Sequence, residues 1–430
     1  MRKSCVQRAL LMLVCMNVLA LTAHSQPRSE LPLPGDQRQR RQPSYLYPVS
    51  TRDKTTGEKR VGFINQTGKL VIGFDRLPKR IEGAFEFQDG RAAIYVTKEK
   101  VDPRSLSYTM GYIDETGKVV IAPRYDEARD FSEGLAYVSS KEFRGFIDRH
   151  GKAVIKLDDE ARDFHEGLAA VKGSGTSGWG YVDRSGRWVI KPQYQLADDF
   201  SEGLAQVMVD VKFGFVNRRG EMVIPPRFDA HPVGYVQQRK FDTSRFAEGL
   251  ACVSVGDLYG YINKKGDFVI PPQFSHAQEF SEGLAWVVTR DAKTYVQNRA
   301  GWIDKTGQWV VTGVNGRTIS SALPEFISYQ NYAMDWRYSE GLVPFIVYEG
   351  DESSWGYMDR KGKVMIKPIL VYYEAYGVTD REGTRVVTEP RGHTVGPFLG
   401  GVARVDFEPL GLEKAYGYIN KMGQFIWQSW

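Results

Sequence analysis

The sequence contains few cysteines and few histidines, which limits the chemistry that it can support. Its 430 residues include three cysteines, too few for a disulfide framework, and six histidines, none of which lie in a metal-ligand spacing. Two of the cysteines, Cys5 and Cys15, lie close to the start of the chain. The third, Cys252, lies in an apolar run, and we expect it to be a small buried side chain rather than a nucleophile.

Long apolar runs are also lacking after the first 25 residues. A basic start (Arg2, Lys3 and Arg8) precedes a mostly apolar stretch that ends in small residues suited to signal-peptidase cleavage. We therefore predict a signal peptide over residues 1–25 and a disordered Pro/Arg/Gln-rich lead over residues 26–44. The mature chain is expected to have no integral membrane span and to be exported, that is periplasmic, on the cell surface or secreted.

An excess of charge of one sign is missing from the body of the chain. The 57 basic and 52 acidic residues give a formal net charge of +5. Residues 1–25 hold three basic and no acidic residues, and residues 26–44 hold four arginines against two acids, so the chain from residue 45 onward is neutral. This balance gives no reason to expect a nucleic-acid partner, and we predict none.

What the sequence does contain is one motif that occurs nine times. The motif reads Gly-aromatic-aliphatic-Asp/Asn-x-x-Gly and recurs about every 34 residues where no insertion intervenes. A second motif, Phe-Ser-Glu-Gly-Leu-Ala, accompanies most copies, and a Val-Ile-x-Pro-x-aromatic segment lies between the two. The nine copies begin at Gly62, Gly111, Gly145, Gly180, Gly214, Gly260, Gly301, Gly356 and Gly417.

Each copy predicts short antiparallel strands. The aromatic and β-branched runs are typical of strands, and Asp/Asn-x-x-Gly is a hairpin turn in which the side chain bonds the backbone and glycine takes a positive φ. We predict an all-β fold over residues 45–430, a tandem array of nine short antiparallel β repeats, with propeller-like blades favoured over an open β-solenoid. Insertions interrupt this array near residues 97–109, 230–245, 313–338 and 369–397.

The motif also resembles that of a known family. Residues 179–183 and 355–359 read Trp-Gly-Tyr-Val-Asp and Trp-Gly-Tyr-Met-Asp, which is similar to the hallmark of WG-repeat (KWG-type) proteins. The resemblance covers about residues 45–430. It implies a repeat architecture and a protein that is commonly bacterial and often exported, and it implies little about function.

Motifs that carry catalysis are missing. The chain has no Gly-rich phosphate loop, no Gly-x-Ser-x-Gly elbow and no Cys/His pair. The glutamate of the second motif recurs in most copies, whereas catalysis needs a carboxylate once or twice. We therefore predict no enzymatic activity, no cofactor and no metal site.

Two sets of residues are candidates for a ligand surface. If the repeats stack, the first residue inside the hairpin turn forms a basic stripe that could bind an anionic glycan, a lipid head group or an acidic partner. Its alternative role is solubility and edge protection. The stripe comprises Arg149, Arg184, Arg218, Lys264, Lys305, Arg360 and Lys421.

The second set consists of aromatic residues in the insertions, namely Tyr329, Trp336 and Tyr373. Exposed aromatics suit stacking on sugars, and packing of the insertion onto its own repeat is the alternative. We expect an exported, monomeric, non-catalytic binding or scaffold protein that contacts a protein or glycan of the cell envelope. The alternatives are a carbohydrate-binding module and a propeller-type hydrolase using acids of the insertions, such as Asp242 and Glu325.

Overall fold

A computed structural model describes most of the chain from Tyr45 onward. The described residues are 45–53, 55–97, 108–175, 178–229, 244–290, 297–314, 317–318, 336–349, 352–369, 378–379, 385–386, 393–407 and 415–429. The predicted signal peptide and lead, residues 1–44, lie outside them, as do parts of all four predicted insertions. The described residues contain strands and no α-helix.

The described strands form eleven antiparallel sheets, namely nine blades arranged in a ring and two two-stranded hairpins. Blade 1 contains β1 (Tyr47–Arg52), β2 (Lys59–Ile64) and β3 (Leu70–Ile72); blade 2 contains β4 (Ile81–Ala84), β5 (Arg91–Thr97), β6 (Tyr108–Asp114) and β7 (Val119–Tyr125); blade 3 contains β8 (Glu127–Ala128), β9 (Leu135–Ser139), β10 (Arg144–Asp148) and β11 (Ala153–Lys156). Blade 4 contains β12 (Leu168–Lys172), β13 (Trp179–Asp183) and β14 (Trp188–Tyr194); blade 5 contains β15 (Leu196–Ala197), β16 (Leu204–Val209), β17 (Lys212–Asn217) and β18 (Met222–Asp229); blade 6 contains β19 (Phe246–Ala247), β20 (Leu250–Val255), β21 (Leu258–Ile262) and β22 (Phe268–Phe274).

The last three blades follow the same plan, with two short hairpins between them. Blade 7 contains β23 (His276–Ala277), β24 (Leu284–Arg290), β25 (Gln297–Asp304) and β26 (Trp309–Val311); the first hairpin contains β27 (Gly313–Val314) and β28 (Arg317–Thr318). Blade 8 contains β29 (Leu342–Glu349), β30 (Glu352–Asp359) and β31 (Val364–Ile369); the second hairpin contains β32 (Val378–Thr379) and β33 (Arg385–Val386); blade 9 contains β34 (His393–Val395), β35 (Val402–Phe407), β36 (Ala415–Asn420) and β37 (Phe425–Gln428).

Within a four-stranded blade the strands are paired in chain order, and we label their positions a, b, c and d. Position d carries exposed apolar residues such as Val71, Val189 and Val269, whereas positions b and c are buried. Position d is therefore the outer edge of the blade, and position a lies toward the centre of the ring. Blades 1, 4 and 8 hold named strands at positions b to d, and in blade 4 an isolated bridge between Ala161 and Val171 stands at position a.

Because neighbouring strands are antiparallel, the connections of each blade fall on two faces. The a–b and c–d turns lie on one face, which we call the hairpin face. The b–c turns and the connections from position d to the next blade lie on the opposite face, which we call the loop face.

The c–d turn forms as the sequence predicts. In blade 3, Asp148 Oδ1 accepts hydrogen bonds from the backbone N–H groups of His150 (2.8 Å) and Lys152 (3.0 Å). Gly151 has φ 80° and donates its N–H to the carbonyl of Asp148. Asn or Asp at the first position makes the same bonds in all nine blades, which explains why either residue is found there.

The glycine that opens each first motif allows strands c and d to approach closely. A Cβ atom on Gly180 would lie 2.4 Å from the carbonyl oxygen of Ile190 and 2.7 Å from Pro192 N. The register between β13 and β14 shifts at this glycine, so the backbone of strand d bulges over a position that has no side chain.

Packing between blades closes the ring. The aromatic residue of strand c packs on the phenylalanine of the second motif in the next blade, as Tyr181 does on Phe200 with ring centroids 4.8 Å apart. The Tyr181 hydroxyl also donates to the carbonyl of Asp198 at 2.7 Å. Tyr47 and Tyr418 share one core cluster between blade 1 and blade 9. The nine-bladed propeller arrangement is confirmed, and the alternative of an open solenoid is wrong.

Candidate functional site

The hairpin face carries a repeated turn with a strained acidic residue. The glutamate of the second motif has a positive φ, and the following glycine completes a tight turn, as in blade 5, where Ser201 N and Leu204 O are 2.9 Å apart. Such a φ is uncommon for a residue with a long side chain, so other contacts must hold it there. The six glutamates have φ between 51° and 54°: Glu133, Glu166, Glu202, Glu248, Glu282 and Glu340.

The contacts that hold the glutamate come from the next blade. Glu202 Oε2 accepts the backbone N–H of Gly249 at 3.0 Å and lies 3.1 Å from Lys264 Nζ. The same Nζ donates to the carbonyl oxygen of Glu202 at 2.9 Å. One carboxylate of blade 5 is therefore bound by both turns of blade 6, an arrangement that we call the clasp.

The clasp recurs with its ion pair at four junctions, and the other three residues of the predicted basic stripe lie beside the equivalent turn. In each case the basic side chain lies against the a–b turn of the preceding blade. Ion pairs join Asp89 to Arg149 (3.0 Å), Glu248 to Lys305 (2.9 Å) and Glu340 to Lys421 (3.0 Å). Arg360 donates to the carbonyl of Glu282 at 3.2 Å, and Arg184 and Arg218 lie over the turn glycines Gly134 and Gly167.

The two hairpin tips without a basic residue support this interpretation. Blade 1 has Gln66 at the tip, and the preceding blade 9 has Gly400 where the acid would stand. Blade 2 has Glu115 at the tip, and the counterpart of the acid in blade 1 falls before Tyr45, outside the described residues. A base is thus present at a tip where the preceding blade presents an acid. Four of the seven charges of the stripe are paired with acids of the preceding blade, and its role in binding a ligand stays a prediction.

The electrostatics of the clasp favour the ionised acid. Burial alone would raise the pKa of Glu248, but the hydrogen bonds from Lys305 and the Gly283 N–H outweigh it and hold this pKa below its ordinary value. At the c–d turn the Ser185 hydroxyl and backbone likewise lower the pKa of Asp183.

Trp336 is buried rather than exposed, which favours the packing alternative for this residue. It is 9% exposed and lies between two other tryptophans, with ring centroids 5.8 Å from both Trp286 and Trp355. Its carbonyl accepts the Trp302 indole N–H at 2.9 Å, the contact that Tyr181 makes with Asp198 elsewhere. Trp336 therefore belongs to the repeat itself. Tyr329 and Tyr373 lie outside the described residues.

Toward the centre of the ring lies a set of charged residues that sequence reasoning missed. Each directly precedes the aromatic residue of the second motif in blades 4 to 8, and we call this set the inner charged series. Arg245 lies 3.9 Å from Asp199 and 3.7 Å from Glu279, and Arg337 lies 3.3 Å from Glu279. The set comprises Asp163, Asp199, Arg245, Glu279 and Arg337.

Asp163 has the most perturbed carboxylate of this set. Burial, with smaller contributions from Asp199 and Asp130, raises the pKa of Asp163 to about 6, although Arg129 and His165 oppose the shift. Within the described part of the chain, Asp163 Oδ1 is buried without a hydrogen-bond partner. This carboxyl can therefore exchange a proton at weakly acidic pH.

The sequence signal that could have identified the inner charged series is its constant position within the repeat. The position before the motif aromatic is charged in these five blades and also in blades 2 and 3, which have Glu86 and Asp130 there, although an extended segment next to a buried ring is expected to be apolar or neutral. Among the described residues, no group of three or more His, Cys, Asp or Glu side chains is arranged to hold a metal ion. The described residues also contain no helix long and apolar enough to cross a membrane.

Comparison with known families agrees with the repeat architecture. The family described as WG containing repeat matches residues 110–141, 145–172, 179–212, 213–230, 259–291 and 355–380. The chain is a WG-repeat protein. The matches cover six of the repeats, and the structure shows the same strand pattern in the remaining blades.

Other comparisons give distant similarity at most. The comparison with curated proteins found no match. Among solved structures, "KlHsv2 with loop 6CD replaced by a Gly-Ser linker" is 10% identical over 63% of this chain and 93% of that chain, with a TM-score of 0.31. The BP39L lectin from Burkholderia pseudomallei is 10% identical over 79% of this chain and 96% of that chain, also with a TM-score of 0.31.

Proposed function

We propose that this WG-repeat protein is an exported, non-catalytic binding or scaffold protein that contacts a protein or glycan of the cell envelope through its loop face. The observation that carries the proposal is the difference between the two faces. On the hairpin face, four of the seven basic side chains of the stripe form ion pairs between blades, and the other three lie beside the turn of the preceding blade. All the predicted insertions join strand ends on the loop face.

The insertions reach this face from different parts of the ring. Residues 98–107 join β5 to β6, and residues 230–243 join β18 to β19. The segments that follow β26 and β31 lead from position d of one blade to the next. Inserted segments on one face of a repeat array commonly form its binding surface, and a ring provides the rigid support that such segments need.

The export and the absence of catalysis rest on the sequence. Residues 1–25 have the composition of a signal peptide, and the acid of the second motif recurs in most copies, whereas a reaction needs a carboxylate once or twice. If the ligand is a glycan, aromatic residues other than Trp336 must stack on it, because the Trp336 side chain is buried. Asp242 and Glu325, considered for the hydrolase alternative, lie outside the described residues.

Site-specific photo-crosslinking separates the two faces. Val211 lies in the b–c turn between β16 and β17 on the loop face and is 67% exposed; Met422 lies in the c–d turn of blade 9 on the hairpin face and is 73% exposed. A photoreactive residue replaces each in turn, and the full chain is irradiated in envelope extracts. Capture of one discrete partner from Val211 but not from Met422 is expected. Capture from Met422 alone, or from neither position while both variants keep the wild-type melting temperature, would contradict the proposal.

A further inference from the structure

The junction between blade 9 and blade 1 differs from the other junctions of the ring. It joins the two ends of the described array, so no chain connection crosses it. Like the junction between blades 1 and 2, it has no clasp among the described residues, because Gly400 stands at the acid position and Gln66 at the hairpin tip. We call this junction the seam. Some other contact must close the ring there.

Tyrosine hydroxyls of blade 9 take the place of backbone partners at the seam. In blade 3 the strand at position b is bonded on its inner side by position a, with Arg129 N donating to Tyr137 O at 3.0 Å. In blade 1 the corresponding carbonyl, that of Pro48, accepts the Tyr418 hydroxyl at 3.0 Å. Ser50 Oγ lies 3.1 Å from the Tyr416 hydroxyl.

Tyr47 fills the space that the motif phenylalanine fills in other blades. Its position on strand b holds alanine in most repeats, for example Ala136 opposite Ile147, as Tyr47 lies opposite Ile64. The Tyr47 ring packs on Tyr418 with centroids 5.4 Å apart, and its hydroxyl donates to the carbonyl of Leu399 at 2.5 Å. A small residue at position 400 is required, because a Cβ atom on Gly400 would lie 2.8 Å from the Tyr47 hydroxyl.

From these contacts we infer that Tyr47, Tyr416 and Tyr418 form a latch that closes the ring without covalent continuity, and that the ring opens at this seam before it opens elsewhere. Separation of blades 9 and 1 breaks the latch and its apolar cluster only. Separation at an interior junction is resisted by the connecting chain, and at junctions such as that between blades 5 and 6 it breaks a clasp as well. Local opening follows the junction with the lowest free-energy cost.

Amide hydrogen exchange on the full mature chain tests the latch. In the wild type, β1 and β36 at the seam are expected to exchange faster than β16 and β17 of blade 5. Tyr418→Phe removes one hydroxyl–carbonyl bond, and exchange in both seam strands should rise roughly fivefold, the equivalent of one ordinary hydrogen bond. Tyr181→Phe removes the matching bond at an interior junction and should leave seam exchange unchanged.

Three results would overturn the latch. The first is equal protection of the seam and interior strands in the wild type, a measurement that needs no variant. The second is an equal rise in seam exchange with Tyr181→Phe. The third is a rise that is spread evenly over all blades in Tyr418→Phe. If Tyr418→Phe fails to fold, Tyr416→Phe makes the same comparison through the bond to Ser50.

Discussion

The clasp between blades 6 and 7 gives a prediction that separates its two components, a strained turn and a charged contact. Glu248 has φ 54°, and its Oε2 accepts the Gly283 N–H at 3.0 Å and lies 2.9 Å from Lys305 Nζ. Replacing Glu248 by alanine removes both contacts and keeps the strained backbone. Replacing it by glycine removes the contacts and relieves the strain. Replacing it by glutamine keeps an acceptor oxygen and removes the charge.

The expected magnitudes follow from the exposure of the pair. A hydrogen bond to a charged group contributes about 1.5–3 kcal/mol, and an ion pair between half-exposed side chains adds at most about 1 kcal/mol. Because water can solvate the freed groups, we expect Glu248→Ala to lower the free energy of unfolding by about 2 kcal/mol. A positive φ costs a non-glycine residue about 1 kcal/mol, so Glu248→Gly should lose about 1 kcal/mol. Glu248→Gln should lose less than about 1 kcal/mol.

Urea unfolding followed by tryptophan fluorescence and circular dichroism measures these differences. The pKa of Glu248 is lower in the folded protein, so its contribution is present above the ordinary carboxyl pKa of about 4.3. It is lost as the pH falls through the folded value. The deficit of Glu248→Gln should therefore be complete at neutral pH and shrink as the pH falls from about 4.3 through the folded pKa of Glu248. A Glu248→Gly variant less stable than Glu248→Ala, or an alanine variant as stable as the wild type, would refute the reasoning.

Three further predictions concern other parts of the ring. Gly180→Ala should destabilise the protein by more than about 3 kcal/mol in thermal unfolding, because its Cβ atom would meet the carbonyl oxygen of Ile190. At Gly203 a Cβ atom meets nothing within 4 Å, so Gly203→Ala should cost only the strain of its positive φ, about 1–2 kcal/mol. Equal losses in the two variants would contradict this reasoning. Asp163→Asn should stabilise the folded protein by about 1–2 kcal/mol at pH 7, because burial penalises the charged carboxylate and raises its pKa to about 6. The gain should shrink as the pH falls through 6 toward 4. A gain in stability that does not depend on pH would contradict this prediction. Trp336→Ala should cost about 3–5 kcal/mol, and an unchanged melting temperature would show that the tryptophan cluster contributes nothing.

Much of the fold could be predicted from the sequence because its steric demands repeat. Gly180 and its counterparts appear wherever strand d bulges over strand c, and Asp148 with Gly151 defines a turn that recurs in every blade. Three to four short antiparallel strands in a unit of about 34 residues pointed to blades. Ring closure could not be predicted, because Tyr47 fills the space of the motif phenylalanine from a different position in the repeat. This substitution occurs once and therefore forms no repeated pattern.

The candidate surfaces were harder to predict because the interactions join residues far apart in the chain. Lys264 and Glu202 are separated by 62 positions, so the sequence showed two repeated charges and not their pairing. Trp336 follows a long insertion, and its place in the repeat emerges only from its bond with Trp302. Each member of the inner charged series lies one residue before the second motif, at a position that the motif itself does not include.

The measurement that tests the clasp most directly is a double-mutant cycle on Glu202 and Lys264. Glu202→Gln, Lys264→Met and the double variant are unfolded in urea at pH 7, and their losses are compared. The account predicts that the two single losses together exceed the loss of the double variant by about 0.5–1 kcal/mol. Additive losses would mean that Glu202 and Lys264 do not stabilise the junction by their interaction. The basic stripe would then be a candidate ligand surface again.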